Sequence, residues 1–140
     1  MEDLPIHPIL VHFPVALFTT ALILEILSLI FKNHTLHRSA FYVYISATLF
    51  APLAVLTGLR EAQEWHLVSH PVLKWHRLFA LTTMWTAIAA LPMLGFLKII
   101  SEKVFRIIFF ILLIVLVSLV SLTGYNGGRL VYEYGIGVEK

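Results

Sequence analysis

Residues 7–31 read HPILVHFPVALFTTALILEILSLIF, and this stretch decides the fold of the chain. Two histidines, His7 and His12, stand at the start of an apolar run. A hydrocarbon core of roughly 30 Å needs about 20 helical residues to cross it, so the run predicts a membrane-spanning helix. Such a helix needs no histidine at its beginning. We therefore expect the function of the protein to involve this segment.

The rest of the chain repeats the same apolar pattern. Of its 140 residues, 59% are hydrophobic and only 13% are charged, which is far from the composition of a soluble domain. The predicted spans cover about residues 9–31, 39–59, 75–97 and 104–123. The sequence thus predicts an all-α fold in which residues 1–140 form a single domain, an integral membrane antiparallel four-helix bundle. We expect the glycines of residues 124–128 to end the fourth helix and to begin a short polar C-terminal tail.

Composition also excludes several classes of function. The ten Lys and Arg residues are scattered over helix ends and form no basic stripe, so we expect no nucleic-acid partner. The absence of cysteine excludes thiolate metal sites and covalent haem attachment. No nucleophile elbow, Walker loop or dinucleotide fingerprint is present. We therefore expect a non-catalytic subunit rather than an enzyme that is complete by itself.

Most of the histidines are predicted to share one face of the membrane. With an even number of spans, both termini and the connection between helices 2 and 3 lie on that face. Five of the seven histidines belong to these segments, namely His7, His12, His66, His70 and His76. His34 and His37 lie opposite, and we expect these two to be solvated headgroup contacts. Lys and Arg are divided five against five between the faces; the carboxylates favour placing the termini on the outer face.

Two of these histidines are predicted to lie at similar depth. His12 and His76 each follow the start of a helix, and helices 1 and 3 run in the same direction. These helices are diagonal in an up-down bundle, about 14 Å apart. Two imidazoles reaching inward across that gap suit one haem iron, and bundle interiors commonly hold bis-histidine haem. We therefore predict non-covalent haem b with His12 and His76 as axial ligands.

Other histidines leave further arrangements open. His7 lies five residues before His12, roughly 500° around a helix, so the two do not share a face of a regular helix. His66 and His70 are four apart and also suit zinc or copper. A second haem or metal could use His7 with one of them. Taken singly, however, His66 and His70 are expected to be solvated headgroup contacts, like His34 and His37.

Glu25 lies within the first predicted span, about 20 Å along the helix from His12. An intramembrane carboxylate is a functional hypothesis in itself, and a proton pathway is one interpretation. The alternative is a structural role, in which Glu25 reaches the loop near Lys32 or accepts a hydrogen bond from a Ser or Tyr of helix 2.

The chain also resembles a known family. The first span carries His-Pro-x-x-Val-His-Phe-Pro from His7, helix 3 carries His76, and residues 124–138 read GYNGGRLVYEYGIGV. These motifs are similar to the bacterial membrane family called domain of unknown function 2231, over essentially the whole chain. Relatives joined to Rieske-type or cytochrome domains imply redox work at the bacterial inner membrane. From the matched segments, and from the arginines at the same mouth, we assign cofactor binding to His7, Arg77, Tyr125, Asn126 and Arg129 in addition to His12 and His76.

The sequence therefore favours a membrane b-type cytochrome-like electron-transfer or anchor subunit with one or two haems between helices 1 and 3. Its expected partners are the lipid bilayer and a redox protein or quinone, either as a homo-oligomer or within a larger complex. The alternative is a haem-free membrane module. That module would be a small proton-coupled transporter that uses Glu25 and the helix prolines, or a metal-binding scaffold subunit.

Overall fold

The computed structural model describes residues 6–64 and 70–136. It consists of four long helices: α1 (Ile6–Phe31), α2 (His34–Glu64), α3 (Pro71–Ile100) and α4 (Glu102–Tyr132). Each helix is long and apolar enough to cross a membrane, and no strand occurs in the described residues. The predicted all-α fold with four membrane spans is confirmed.

The helices pack as an up-down bundle. Helix α1 contacts α2 and α4, and α3 contacts the same two helices, so α1 and α3 are diagonal. The bundle has two ends. The terminal end contains the first turns of α1 and α3 and the last turns of α2 and α4. The turn end contains the short α1–α2 and α3–α4 connections.

Local capping explains how short the connections at the turn end are. Lys32 adopts a left-handed conformation with φ of 50°. The side chain of Asn33 then accepts hydrogen bonds from the backbone N–H groups of Thr35 (2.8 Å) and Leu36 (3.3 Å), as N-cap residues do. As a result α2 begins at His34, five residues before the predicted start of the second span. Ser101 alone separates α3 from α4 and caps α4 through Val104.

The bundle core combines aromatic side chains with small residues. The rings of Phe41, Tyr44, Phe105 and Phe109 contact one another between α2 and α4, with Phe105 and Phe109 centroids 5.7 Å apart. Buried alanines occur on α1, α2 and α3, including Ala21, Ala47 and Ala87. Small side chains at these positions let the helix backbones approach closely, which drives association where lipid replaces water.

The glycine-rich segment differs from its prediction. We expected residues 124–128 to end the fourth helix, but α4 continues through them to Tyr132. The helix ends only near Gly135, which has a φ of 65°. That prediction was wrong because a backbone embedded in a packed bundle keeps its internal hydrogen bonds even where glycine lowers the helix propensity. The glycines are thus part of a helix wall rather than of a tail.

Candidate functional site: a histidine pair at the terminal end

The imidazoles of His7 and His76 meet at the centre of the terminal end. Their ring centroids lie 6.3 Å apart and their ring planes are at 89°. His7 belongs to the first turns of α1, and His76 to the second turn of α3. Because these helices are diagonal, the two side chains reach each other only by pointing inward, toward the axis of the bundle. The histidine pair between helices 1 and 3 is therefore formed by His7 and His76, and not by His12 and His76.

His7 is held by helix α2. Its Nδ1 atom lies 2.9 Å from the carbonyl oxygen of Ala54 and 3.3 Å from the hydroxyl of Thr57. Its backbone N–H donates to the Glu61 carboxylate at 3.0 Å. A carbonyl oxygen only accepts, so Nδ1 carries the proton and Nε2 has a free lone pair.

His76 is held in the same way by helix α4. Its Nδ1 lies 2.9 Å from the carbonyl oxygen of Thr123, which again places the proton on Nδ1. In both cases the accepting carbonyl stands four residues, about one helical turn, before a glycine of the same helix. Each α-helical hairpin thus supplies one histidine, one backbone acceptor and one glycine.

The two glycines make room for the rings. A Cβ atom on Gly58 would lie 2.6 Å from Cε1 of His7, and a Cβ on Gly127 would lie 3.2 Å from Cε1 of His76. Real Cβ atoms essentially never approach as closely as the first distance. Glycine is therefore needed at position 58 and favoured at position 127 for the imidazoles to lie against the helix backbones.

His12 lies on a different face of α1. Its side chain is exposed, and its Nδ1 is bonded to the carbonyl oxygen of Pro8 within the same helix. The expectation that His12 reaches inward is therefore corrected. Pro14 itself is buried, and it is seven residues from His7, almost two full turns, so Pro14 and His7 share the inward face.

Residue spacing could have identified the pair of histidines that meet. The buried residues of α1 recur at intervals of three and four, at Pro14, Phe18, Ala21, Glu25 and Ser28. Continued backward, this pattern reaches position 7 and not 12. In α3 the same pattern runs back from Leu94, Ala90, Ala87 and Thr83 to His76. An argument from depth alone selects His12 and not the inward-facing His7 because it ignores this periodicity.

The other predicted cofactor residues are divided among several environments. Asn126 is buried and donates to the Leu122 carbonyl, whereas Tyr125 is 66% exposed. Arg129 pairs with Glu133 at 3.0 Å and lies over the Tyr125 ring. Arg77 is exposed. The structure therefore does not gather these four side chains around the histidine pair.

His70 does not join the pair. The ring of His70 contacts that of Tyr134, with centroids 4.5 Å apart. His66 lies outside the described residues. In the part of the chain that the structure describes, no group of three or more His, Cys, Asp or Glu side chains could hold a metal ion.

A second polar cluster occupies the turn end. Glu25 is completely buried, and Nδ1 of His37 lies 2.7 Å from its Oε2 atom. Arg106 of α4 approaches Oε1 of Glu25 to 4.0 Å and donates to Ser28 at 2.8 Å. The expectation that His37 is a solvated headgroup contact was wrong, because it lies on the inner face of α2 and its carboxylate partner belongs to another helix. His34 is exposed and lies 3.6 Å from Glu102.

Comparison with known protein families gives a match over almost the whole chain. The family described as "Predicted membrane protein (DUF2231)" matches residues 3–140. No curated protein and no solved structure matches the chain significantly. The match extends over α1 and α3, which carry His7 and His76, and over the glycine-containing part of α4. The four apolar helices agree with the family description. The chain is therefore a multi-pass membrane protein and belongs to the DUF2231 family.

Proposed function

We propose that the protein is a membrane electron-transfer subunit that binds b-type haem at the terminal end, with His7 and His76 as the axial ligands. The single observation that carries this proposal is the facing pair of imidazoles, each with its Nδ1 bonded to a backbone carbonyl. The proposal keeps the haem site between helices 1 and 3 and replaces His12 by His7.

The protonation of the pair suits iron binding. Metal-binding histidines usually donate their second ring N–H to a carbonyl or carboxylate, which fixes the tautomer and the ring orientation. The carbonyls of Ala54 and Thr123 do this for His7 and His76. Both Nε2 atoms consequently keep a lone pair that these hydrogen bonds do not use.

The spacing of the pair also suits a shared metal atom. Two imidazoles bound to one metal at bonds of about 2 Å have their ring centroids about 6 Å apart. The observed separation is 6.3 Å. Bound haem would supply one-electron oxidation and reduction at this position. The residues of the chain orient the ligands, and the helix walls at Gly58 and Gly127 restrict the movement of each ring.

The position of the site suggests the partners with which it would exchange electrons. It lies at the end of a membrane bundle, so we propose a quinone or a redox protein as the exchange partner. Arg77 is exposed at the same end of the bundle and would be available to a haem propionate, whereas Arg129 is paired with Glu133. We place the protein in the bacterial inner membrane with the terminal end outward. In this role it is a non-catalytic subunit.

The visible absorption spectrum of protein purified from haem-supplied cells tests the proposal. We expect a Soret band and, after reduction, the α and β bands of a six-coordinate b-type haem. Protein that remains helical and monodisperse but shows no Soret band after such expression and after haem titration would refute the proposal.

A haem-free metal site is the second candidate. Imidazole nitrogens also suit copper and zinc, and the two rings are already at a spacing that one ion could bridge. Elemental analysis of colourless protein distinguishes this case: one copper or zinc ion per chain, lost in a His7→Ala variant, would favour the metal-binding scaffold.

A further inference from the structure

The second polar cluster has no part in the proposed haem site. Glu25 lies 18 residues after His7 on the same helix, about 27 Å along its axis. Three helices contribute to this cluster: Glu25 and Ser28 from α1, His37 from α2 and Arg106 from α4. We propose that Glu25 and His37 form a proton-exchange site, in which the imidazole carries protons between the turn end of the bundle and the buried carboxylate.

Burial distinguishes the two members of the pair. The Glu25 side chain is 0% exposed, whereas that of His37 keeps 7% of its surface exposed. His37 is the fourth residue of α2 and thus lies next to the turn end. Its ring therefore connects the buried carboxylate to the first turn of α2.

The contact between the two groups has the geometry of a proton transfer. Nδ1 of His37 and Oε2 of Glu25 are 2.7 Å apart, within the range for transfer along a hydrogen bond. The edges of the Phe105 and Phe109 rings contact the imidazole, with centroids at 5.4 and 5.9 Å, and hold it in this orientation. Histidine is well suited to such a relay because its two nitrogens can exchange roles.

The transfer is balanced without another reactant. A proton binds to Nε2 of His37 while the Nδ1 proton passes to Oε2 of Glu25. The products are a neutral carboxylic acid and a neutral imidazole protonated on Nε2. Release of the proton is the reverse of this process.

The Glu25 carboxylate accepts a hydrogen bond at only one of its two oxygen atoms among the described residues. Oε1 of Glu25 and Nε of Arg106 are both buried and have no hydrogen-bond partner among the described residues, although they lie 4.0 Å apart. A purely structural ion pair in a membrane interior would be expected to satisfy both atoms, since buried polar groups are nearly always paired. Oε1 of Glu25 therefore has no donor among the described residues closer than the Arg106 guanidinium, 4.0 Å away.

The charges around the pair come from every neighbouring helix. Arg106 of α4 balances the negative charge of Glu25. Lys98 of α3 lies over the Phe41 ring at 5.6 Å, and Tyr44 of α2 donates its hydroxyl proton to the Ala87 carbonyl. The exposed His34 and Glu102 pair with each other nearby. With the Glu25 carboxylate protonated, the cluster of Glu25, neutral His37 and Arg106 has a net charge of +1.

Infrared pH-difference spectroscopy of the detergent-purified full chain tests the inference. We expect a carbonyl stretching band of a buried carboxylic acid that grows toward acidic pH. The band should disappear in Glu25→Gln and persist in Glu102→Gln, which removes an exposed carboxylate at the same end. After a pH jump, His37→Gln should slow the appearance of the band by about a hundredfold or more. His34→Gln should leave the rate unchanged.

Two results would overturn the inference. If no band differs between wild type and Glu25→Gln over the pH range in which the protein stays helical, Glu25 is a permanently ionised member of a static ion pair. If His37→Gln titrates as fast as wild type, the imidazole is not the relay.

A measurement on the unsubstituted chain tests the inference even if the variants do not fold. In protein labelled with ¹⁵N-histidine, the His37 resonances should report exchange between the two neutral tautomers, and a single tautomer at all pH values would contradict the relay. All of these measurements can be made on haem-free protein, so they succeed or fail independently of the haem proposal.

Discussion

The imidazole of His7 lies edge-on to the imidazole of His76, with ring centroids 6.3 Å apart. These residues belong to diagonal helices whose backbones are not in contact. Each ring is fixed through Nδ1 by the neighbouring helix of its own hairpin. The pair therefore joins the two halves of the bundle at the terminal end, and the proposed haem function can be tested on it directly.

Substitution of single histidines distinguishes the ligand pair from its neighbours. We expect His7→Ala and His76→Ala to lose the six-coordinate haem spectrum, since each removes one axial nitrogen. His12→Ala should retain it, because the His12 side chain is exposed and bonded within its own helix. Absorption spectra of the three variants with equal haem supply provide the measurement. Loss of the spectrum in His12→Ala with retention in His7→Ala would restore the assignment made from sequence.

The angle between the rings predicts a spectroscopic property. The imidazole planes are at 89°, and perpendicular axial ligands give oxidised haem a highly anisotropic low-spin electron paramagnetic resonance signal. Parallel ligands give a rhombic signal instead. We therefore expect the anisotropic form from the oxidised protein at low temperature. A rhombic signal would mean that the rings rotate when iron binds or that another residue is the ligand.

Glycine at position 58 is expected to be required for cofactor binding. A methyl group there would lie 2.6 Å from the His7 ring, so Gly58→Ala should displace the ligand and weaken haem binding by about 10- to 100-fold. Gly95→Ala is the matched control, because no atom lies within 4 Å of its added Cβ. Haem titration of both variants provides the measurement. Equal affinities would show that the His7 ring is free to move away.

One buried hydrogen bond is expected to stabilise the contact between α2 and α3. The hydroxyl of Tyr44, a fully buried residue, donates to the Ala87 carbonyl at 2.6 Å. Tyr44→Phe should lower the free energy of unfolding by about 0.5–1.5 kcal/mol. Tyr42→Phe removes a hydroxyl from a side chain that is 60% exposed and should have no measurable effect. Reversible unfolding in mixed micelles gives both values.

The two histidines of the turn end are expected to differ in their contribution to stability. His37→Ala removes the donor to a buried carboxylate and should lower the free energy of unfolding by about 1–3 kcal/mol. His34→Ala breaks only an exposed contact with Glu102 and should change it by less than about 0.5 kcal/mol.

A combination of substitutions identifies the origin of the larger effect. When Glu25 is already replaced by Gln, His37→Ala should be less destabilising, because it then leaves no buried carboxylate without its hydrogen-bond donor. An unchanged effect would assign the contribution of His37 to its contacts with Phe105 and Phe109 instead.

The sequence by itself determined the class of the protein. Four apolar runs of sufficient length specify four membrane helices, because every backbone polar group in lipid must be bonded within its own helix. The alternation of these helices also placed both termini and His76 at one end of the bundle. These conclusions depend only on length, hydropathy and chain order, which are properties of the sequence.

Only the tertiary structure decided which side chains meet. His7 rather than His12 faces His76, because the rotation of α1 is set by its packing against α2 and α4. Glu25 meets His37 and Arg106 across three helices, and no local pattern encodes such a contact. Residues 124–128 remain helical because packing overrides the low helix propensity of glycine. The position of a residue along its helix thus follows from the number of residues before it in the chain. The direction in which its side chain points depends on the rotation of the helix about its own axis. That rotation is fixed only when all four helices pack together.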